Sequence, residues 1–232
     1  MGSRFEEPFS HYEKLAEAAD RVFEKVKAEF PTEMTCKIGC SDCCHALFDI
    51  SLVEALYLNH HFNQMFDGVE RAALLEKANR ADRTAYKIKR DARKRLESGG
   101  AEEEIIVSLS AERVRCPLLN RENRCSMYEN RPITCRLYGV PTEIGGLSHS
   151  CGLTGFTKGK TYPTIHMDKM NQRLLALAVA LVKDMGSKYT QLSELVMPVS
   201  AALLTDFNSE FLGIGDDEKS DQAEAGTDGG DA

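Results

Sequence analysis

The residues able to do chemistry in this chain are its eight cysteines, and they fall into two clusters. Cys36, Cys40, Cys43 and Cys44 share the run TCKIGCSDCCHALF, while Cys116, Cys125, Cys135 and Cys151 are spread through RCPLLNRENRCSMYENRPITCRLYGVP and HSCG. Thiols form disulfides, pack as small hydrophobes, or bind metal. The opening residues MGSRFEEPFS carry no apolar stretch of the kind that marks export, so a cytoplasmic chain with reduced thiols is expected. Packing cysteines would be scattered along apolar segments. These stand instead among Gly, Asp, Asn, Arg and Pro, the residues of turns. Metal ligation is therefore the favoured reading for all eight.

The spacing Cys36-x3-Cys40-x2-Cys43 gathers three thiolates in one tight loop, with Gly39 and Ser41 letting the backbone fold back. Cys43 and Cys44 are adjacent, so their side chains are expected to diverge and Cys44 to face a second centre. The later cluster supplies the remaining ligands, and the pool suffices for two four-coordinate centres or for one with thiols to spare. Tetrahedral zinc and a 4Fe-4S cluster each take four thiolates. Zinc sites more often use paired C-x2-C hooks with histidine. An almost purely sulfur pool at long spacings favours iron–sulfur, with zinc the alternative. His45 and His149 adjoin the clusters and read as bystanders. Thiolate centres carry negative charge, which some of Lys37, Arg113, Arg115, Arg121, Arg124, Arg131 and Arg136 can offset. Leu118, Tyr128 and Tyr138 read as shields against water and oxidant.

These residues resemble the YkgJ-like cysteine-cluster family, described as a zinc- or iron-chelating domain and widespread in bacteria. The likeness rests on Cys36-x3-Cys40-x2-Cys43-Cys44, on Cys116-Pro117-Leu118, and on Cys125-x2-Tyr128-Glu129-x-Arg131-Pro132-x2-Cys135-Arg136-x-Tyr138, and it covers roughly residues 30 to 155. It implies a metal-bearing core to which different activities are attached. A flagellin lysine methylase looks similar in its cysteine pattern and is associated with iron–sulfur. The first three cysteines are also similar to the triad of radical S-adenosylmethionine enzymes. Asp42 stands where that superfamily has an aromatic, and the strand–helix alternation of its barrel is missing, so this is the minor alternative.

The elements that must position these thiols read as mainly helical. At 232 residues and 42% hydrophobic content, one domain over residues 1–214 is comfortable, with a cysteine core over about 30–155. The net charge is −7, but residues 215–232 hold seven carboxylates against Lys219, so the remainder is near neutral. That tail has no apolar anchor and is expected to be disordered. No apolar run approaches a membrane span.

Residues 11–30 form an amphipathic pattern, with Ser10 as its cap and a core stripe through Leu15, Ala19, Val22, Val26 and Phe30. Ser51 and Glu54 make a capping box for a helix over 52–66, on which His60 and His61 read as polar-face residues. Residues 69–98 predict one long helix closed by Gly99-Gly100, with a narrow seam Leu74, Ala78, Ala81, Ala85, Ile88, Ala92 and Leu96 suited to a helical hairpin. Its basic residues, Arg80 to Arg95, read as a solvated face, because interleaved aromatics are scarce; nucleic acid is not an expected partner. The run at 102–107 is undecided between helix and strand. Pro132 suits the start of a short helix carrying Cys135, and 167–185 and 189–207, broken at Pro198, complete the helices.

The fold expected is a small helical bundle with a loop-dominated, cysteine-rich region. The function expected is metal binding, in one of two classes. Either the centre takes part in redox or modifying chemistry with an electron or protein partner, or zinc staples the loops of a non-enzymatic module. An open cleft beside Cys44 favours the first; saturated coordination beneath Tyr138 and Leu118 favours the second.

Overall fold

The computed structural model describes residues 2–215 apart from Ile38 and Lys158; the acidic stretch from 216 onward lies outside the described residues. Its axis is α2, Leu52–Met65. The expected capping box forms there: the Glu54 carboxylate accepts from the Ser51 N–H at 2.8 Å and its hydroxyl at 2.7 Å. Leu52, Val53, Ala55, Leu56, Leu58 and Phe62 are buried on every side of this helix, so neighbours must surround it. They are α1 (Gly2–Glu29), α6 (Met167–Asp184) and α7 (Val199–Leu204), all packed on α2. Helix α3 (Gly68–Glu97) lies against α7 and turns back into α4 (Glu102–Ala111), the expected hairpin. Short α5 (Ile133–Leu137) packs on α1, and α8 (Ser209–Leu212) closes the described chain. The fold is mainly α, as the periodicity predicts.

Strand content is slight. Strand β1 (Ile50–Ser51) pairs antiparallel with β5 (Val196–Met197). A three-stranded sheet joins β2 (Thr142–Ile144) antiparallel to β3 (Leu147–His149) and parallel to β4 (Ile165–His166), in the order β3-β2-β4. No described helix is long and apolar enough to cross a membrane.

Several expectations need correction. Ser10 caps nothing: α1 starts at Gly2 and runs through Pro8. The added turns bury Phe5, Phe9 and Tyr12 beside Tyr57, and this aromatic packing outweighs the backbone bond lost at Pro8. The expected stripe of α1 holds at Ala19 and Val26, with Leu15 and Val22 half-buried, and it extends onto Tyr12 and Ala16. His61 is not a polar-face residue. Its ring stands edge-on to Tyr57 at 4.4 Å, and its Nε2 is buried without a hydrogen-bond partner. The seam of α3 holds at Leu74, Ala78, Ala81, Ala85 and Ala92 but frays at Leu96, which is exposed. Residues 189–207 are a 3-10 turn (Thr190–Glu194), β5 and α7; Pro198 caps α7 instead of interrupting a longer helix. The undecided run at 102–107 is helical.

Candidate metal centre

All eight thiols line one cavity of about 650 Å³. The early and late clusters meet because their backbones pair. Ala46 and Arg113 form an antiparallel bridge. The Val114 N–H donates to the His45 carbonyl at 2.9 Å, and the Cys116 N–H to that of Cys44 at 2.7 Å. Cys125 is brought to Cys116 by a tight turn, with Leu119 bridged to Cys125 and the Leu119 N–H bonded to the Cys116 carbonyl. Cys135 rides on α5. That helix is held by Glu54, whose other oxygen accepts from the Ile133 N–H at 2.9 Å, so the capping box of α2 also caps α5. Cys151 follows β3 and is buried.

Cys43 and Cys44 occupy a 3-10 turn, Asp42–His45. The expected divergence is not found: their sulfurs stand 3.9 Å apart, because the turn aims both into the cavity. Gly139 takes φ +97°, and a Cβ there would lie 2.5 Å from Cys36 Sγ, so only glycine lets the chain pass this thiol. Among the described residues, no group of three or more His, Cys, Asp or Glu side chains converges on a single point at ligating distance; the thiols ring a cavity.

Burial pushes Cys116 up to about 12 and Cys36 to about 11, with neighbouring thiols adding to both. Cys135 is raised by burial and then by Cys43, Cys116 and Cys125. Cys43 is the exception, lowered to about 7 because the Cys44 S–H donates to it; Cys44 is correspondingly raised. The donor set fits a sulfur-bound centre. Neither adjacent histidine enters it: His45, whose Nδ1 is 2.9 Å from the Ser41 carbonyl, and His149, exposed on β3, are both absent from the cavity lining.

Several residues around the thiols carry no sequence signal, being single polar groups with no partner at fixed spacing. Asp20, Glu24 and Lys27 of α1 line the cavity on what reads as a wet face. Asp20 accepts from Arg131 at 2.7 Å and also from Arg136, whose guanidinium is buried and reaches the Arg131 and Glu129 carbonyls. Arg115 and Arg124 line the cavity too, in line with the expected charge compensation. Asp42 accepts from Tyr138 Oη at 2.8 Å and from Cys151 Sγ at 3.4 Å. Of the expected shields, Leu118 is buried. Tyr128 is 57% exposed, with the Arg131 guanidinium 3.9 Å over its ring, and is no shield.

Residues 35–152 match the model of the CxxCxxCC family, described as "Putative zinc- or iron-chelating domain". The chain belongs to the CxxCxxCC family. The matched span holds every cysteine and every backbone pairing that gathers them; α3 adds wall residues from within that span, and α1 and α7 add them from outside it. A search of curated proteins and one of solved structures found no match for this CxxCxxCC chain.

Proposed function

We propose that this CxxCxxCC protein holds an iron–sulfur centre on its cysteines and uses it in redox or modifying chemistry. The observation that carries this is the single cavity lined by all eight thiols, with Phe48 of the loop before β1, Ala81 and Ala85 of α3, and Val199 of α7 on its other wall. The donors are sulfur, and iron–sulfur clusters are held by thiolates. Neither nearby histidine lines the cavity, whereas zinc sites recruit imidazole more often. Such a cluster supplies one-electron transfer when bound. The four thiolates that would hold it are drawn from Cys36, Cys40, Cys43, Cys44, Cys116, Cys125, Cys135 and Cys151. The chain's own part is to gather these thiols, offset their charge with Arg115, Arg124, Arg131 and Arg136, and keep a recess beside Cys44 for a small reactant. The electron partner is a redox protein.

Structural zinc is the second reading, favoured by one distance. Two thiolates on a tetrahedral zinc at about 2.3 Å stand about 3.8 Å apart. The Cys43 and Cys44 sulfurs, at 3.9 Å, already have that separation. Anaerobic purification with iron, zinc and acid-labile sulfide analysis decides between them. Brown protein with stoichiometric iron and sulfide is the expected result. Colourless protein with stoichiometric zinc transfers the proposal to the staple, and protein with neither overturns metal binding.

A further inference from the structure

The thiols of the cavity are not one undivided set. Within the 3-10 turn the Cys43 and Cys44 sulfurs stand 3.9 Å apart, while Asp42 turns its carboxylate to Tyr138 and Cys151. Cys43 and Cys44 face the strand-like pairing with Cys116 and its neighbour Cys125, where Cys135 also sits. Asp42 Oδ2 is met by Cys151 Sγ at 3.4 Å, and Cys151 and Cys36 both have Cys40 as a neighbour, with Cys43 next to Cys36 at the seam of the two groups. Cys36 itself points at the Tyr138 carbonyl at 3.9 Å, on the Gly139 side of the cavity.

We infer that the chain carries two metal centres of different chemistry: an inner all-sulfur one drawn from Cys43, Cys44, Cys116, Cys125 and Cys135, and an outer one made by Cys36, Cys40 and Cys151 with the carboxylate of Asp42 as an oxygen donor. This rests on the reading that the cysteines bind metal. The Asp42 carboxylate already meets one outer thiol, at 3.4 Å, close to the about 3.5 Å that separates sulfur and oxygen on one tetrahedral zinc-sized ion. Tyr138 Oη donates to the same oxygen, and a ligating carboxylate is commonly fixed by such a hydrogen bond. A three-sulfur, one-oxygen set is harder than a four-sulfur set, so its ion exchanges more readily and is open to displacement by an incoming ligand. Asp42 thus becomes a functional residue that cysteine spacing does not reveal.

Cobalt(II), titrated anaerobically into the full-length, metal-free, reduced protein, separates these possibilities by its thiolate charge-transfer absorption. Wild type is expected to bind two equivalents. Cys36→Ser and the double variant Cys116→Ser/Cys125→Ser, which leaves three inner thiols, are each expected to keep one, and Asp42→Asn to weaken one equivalent at least tenfold while leaving the other unchanged. Asp42→Cys is expected to restore that equivalent with a four-sulfur spectrum. Far-UV circular dichroism of each apo variant identifies a chain that has simply not folded, and Asp42→Asn, which keeps all eight thiols, serves if a cysteine variant fails in this way. A single equivalent in wild type, lost in both cysteine variants, overturns the two centres and leaves metal binding standing. Two equivalents untouched by Asp42→Asn overturn the role of Asp42. No cobalt bound by wild type removes the underlying reading itself.

Discussion

A thiol raised by burial is a protonated thiol, and a protonated thiol must lose its proton to bind metal. Cys36 at about 11 and Cys116 at about 12 are both neutral at pH 7. Loading the apo protein at that pH therefore releases protons, and affinity for metal rises with pH toward the range of these thiols. Calorimetric titration with zinc in two buffers of different ionisation enthalpy reads the count: at least two protons released per ion bound at either thiol group is the expected result, and buffer-independent heats would show that the buried thiols are not the ligands. At this scale the sequence is legible where chemistry repeats. Eight cysteines at fixed spacings announce themselves, whereas Asp42, Asp20 and Tyr138 matter through partners roughly a hundred residues distant. A lone carboxylate with a distant partner leaves no local pattern. Cys43 and Cys44 show a different limit: adjacency alone suggests divergence, and only the tight 3-10 turn brings their sulfurs together.

Elements are tied to the thiols by two acidic residues, one on each of the helices α1 and α2. Glu54 is buried and joins the start of α2 to the start of α5, the helix of Cys135, through three hydrogen bonds. Asp20 joins α1 to the α5 residue Arg136 and to Arg131 just before that helix. Glu54→Ala leaves the Ile133 N–H buried and unpaired and empties a site inside the core, a loss of about 2–4 kcal/mol. In a chain of this length that lowers the melting temperature by about 4–16 °C. Glu54→Gln keeps an acceptor for one of the two helix starts and is expected to lose about half as much. Equal melting of Glu54→Ala and wild type would mean that α5 is held without this bond. The capping box itself is visible in the sequence as Ser51-x2-Glu54. Its second duty at Ile133 is not, because that partner lies 79 positions away. Helix existence follows the 3.6-residue period well over α2, α3 and α6. The period misleads at the ends, where Phe5 and Phe9 extend α1 past a proline, and at 189–207, where Pro198 caps a short helix.

The molecule as a whole separates a core that needs no metal from a rim that does. The apolar core joins α1, α2, α6 and α7 through Tyr12, Leu58, Phe62, Ala178, Leu181 and Leu203, and Cys116 and Cys125 pack against its edge. Leu118, Met127, Ile133 and Leu137 anchor the later cysteine segment to that core from beneath. The earlier segment has less holding it. From Thr35 to Phe48 every described side chain is exposed or half-exposed, and the segment is tied by a few backbone bonds and by side-chain bonds at Thr35 and Asp42. Metal binding energy is then folding energy for the rim and only in part for the core. Stripping the metal anaerobically with a chelator is expected to preserve most of the far-UV helical signal. At a metal concentration about a hundredfold above its dissociation constant, the stabilisation lost is about 2.7 kcal/mol, or roughly 5–11 °C in melting temperature. Limited proteolysis of the stripped protein should cut first between 35 and 49, ahead of the later segment, because opening there breaks few apolar contacts. A stripped protein that loses its helices altogether would make the metal a partner of the whole fold. One that melts and resists protease like the loaded form would show that the cysteines gather without any ion to hold them.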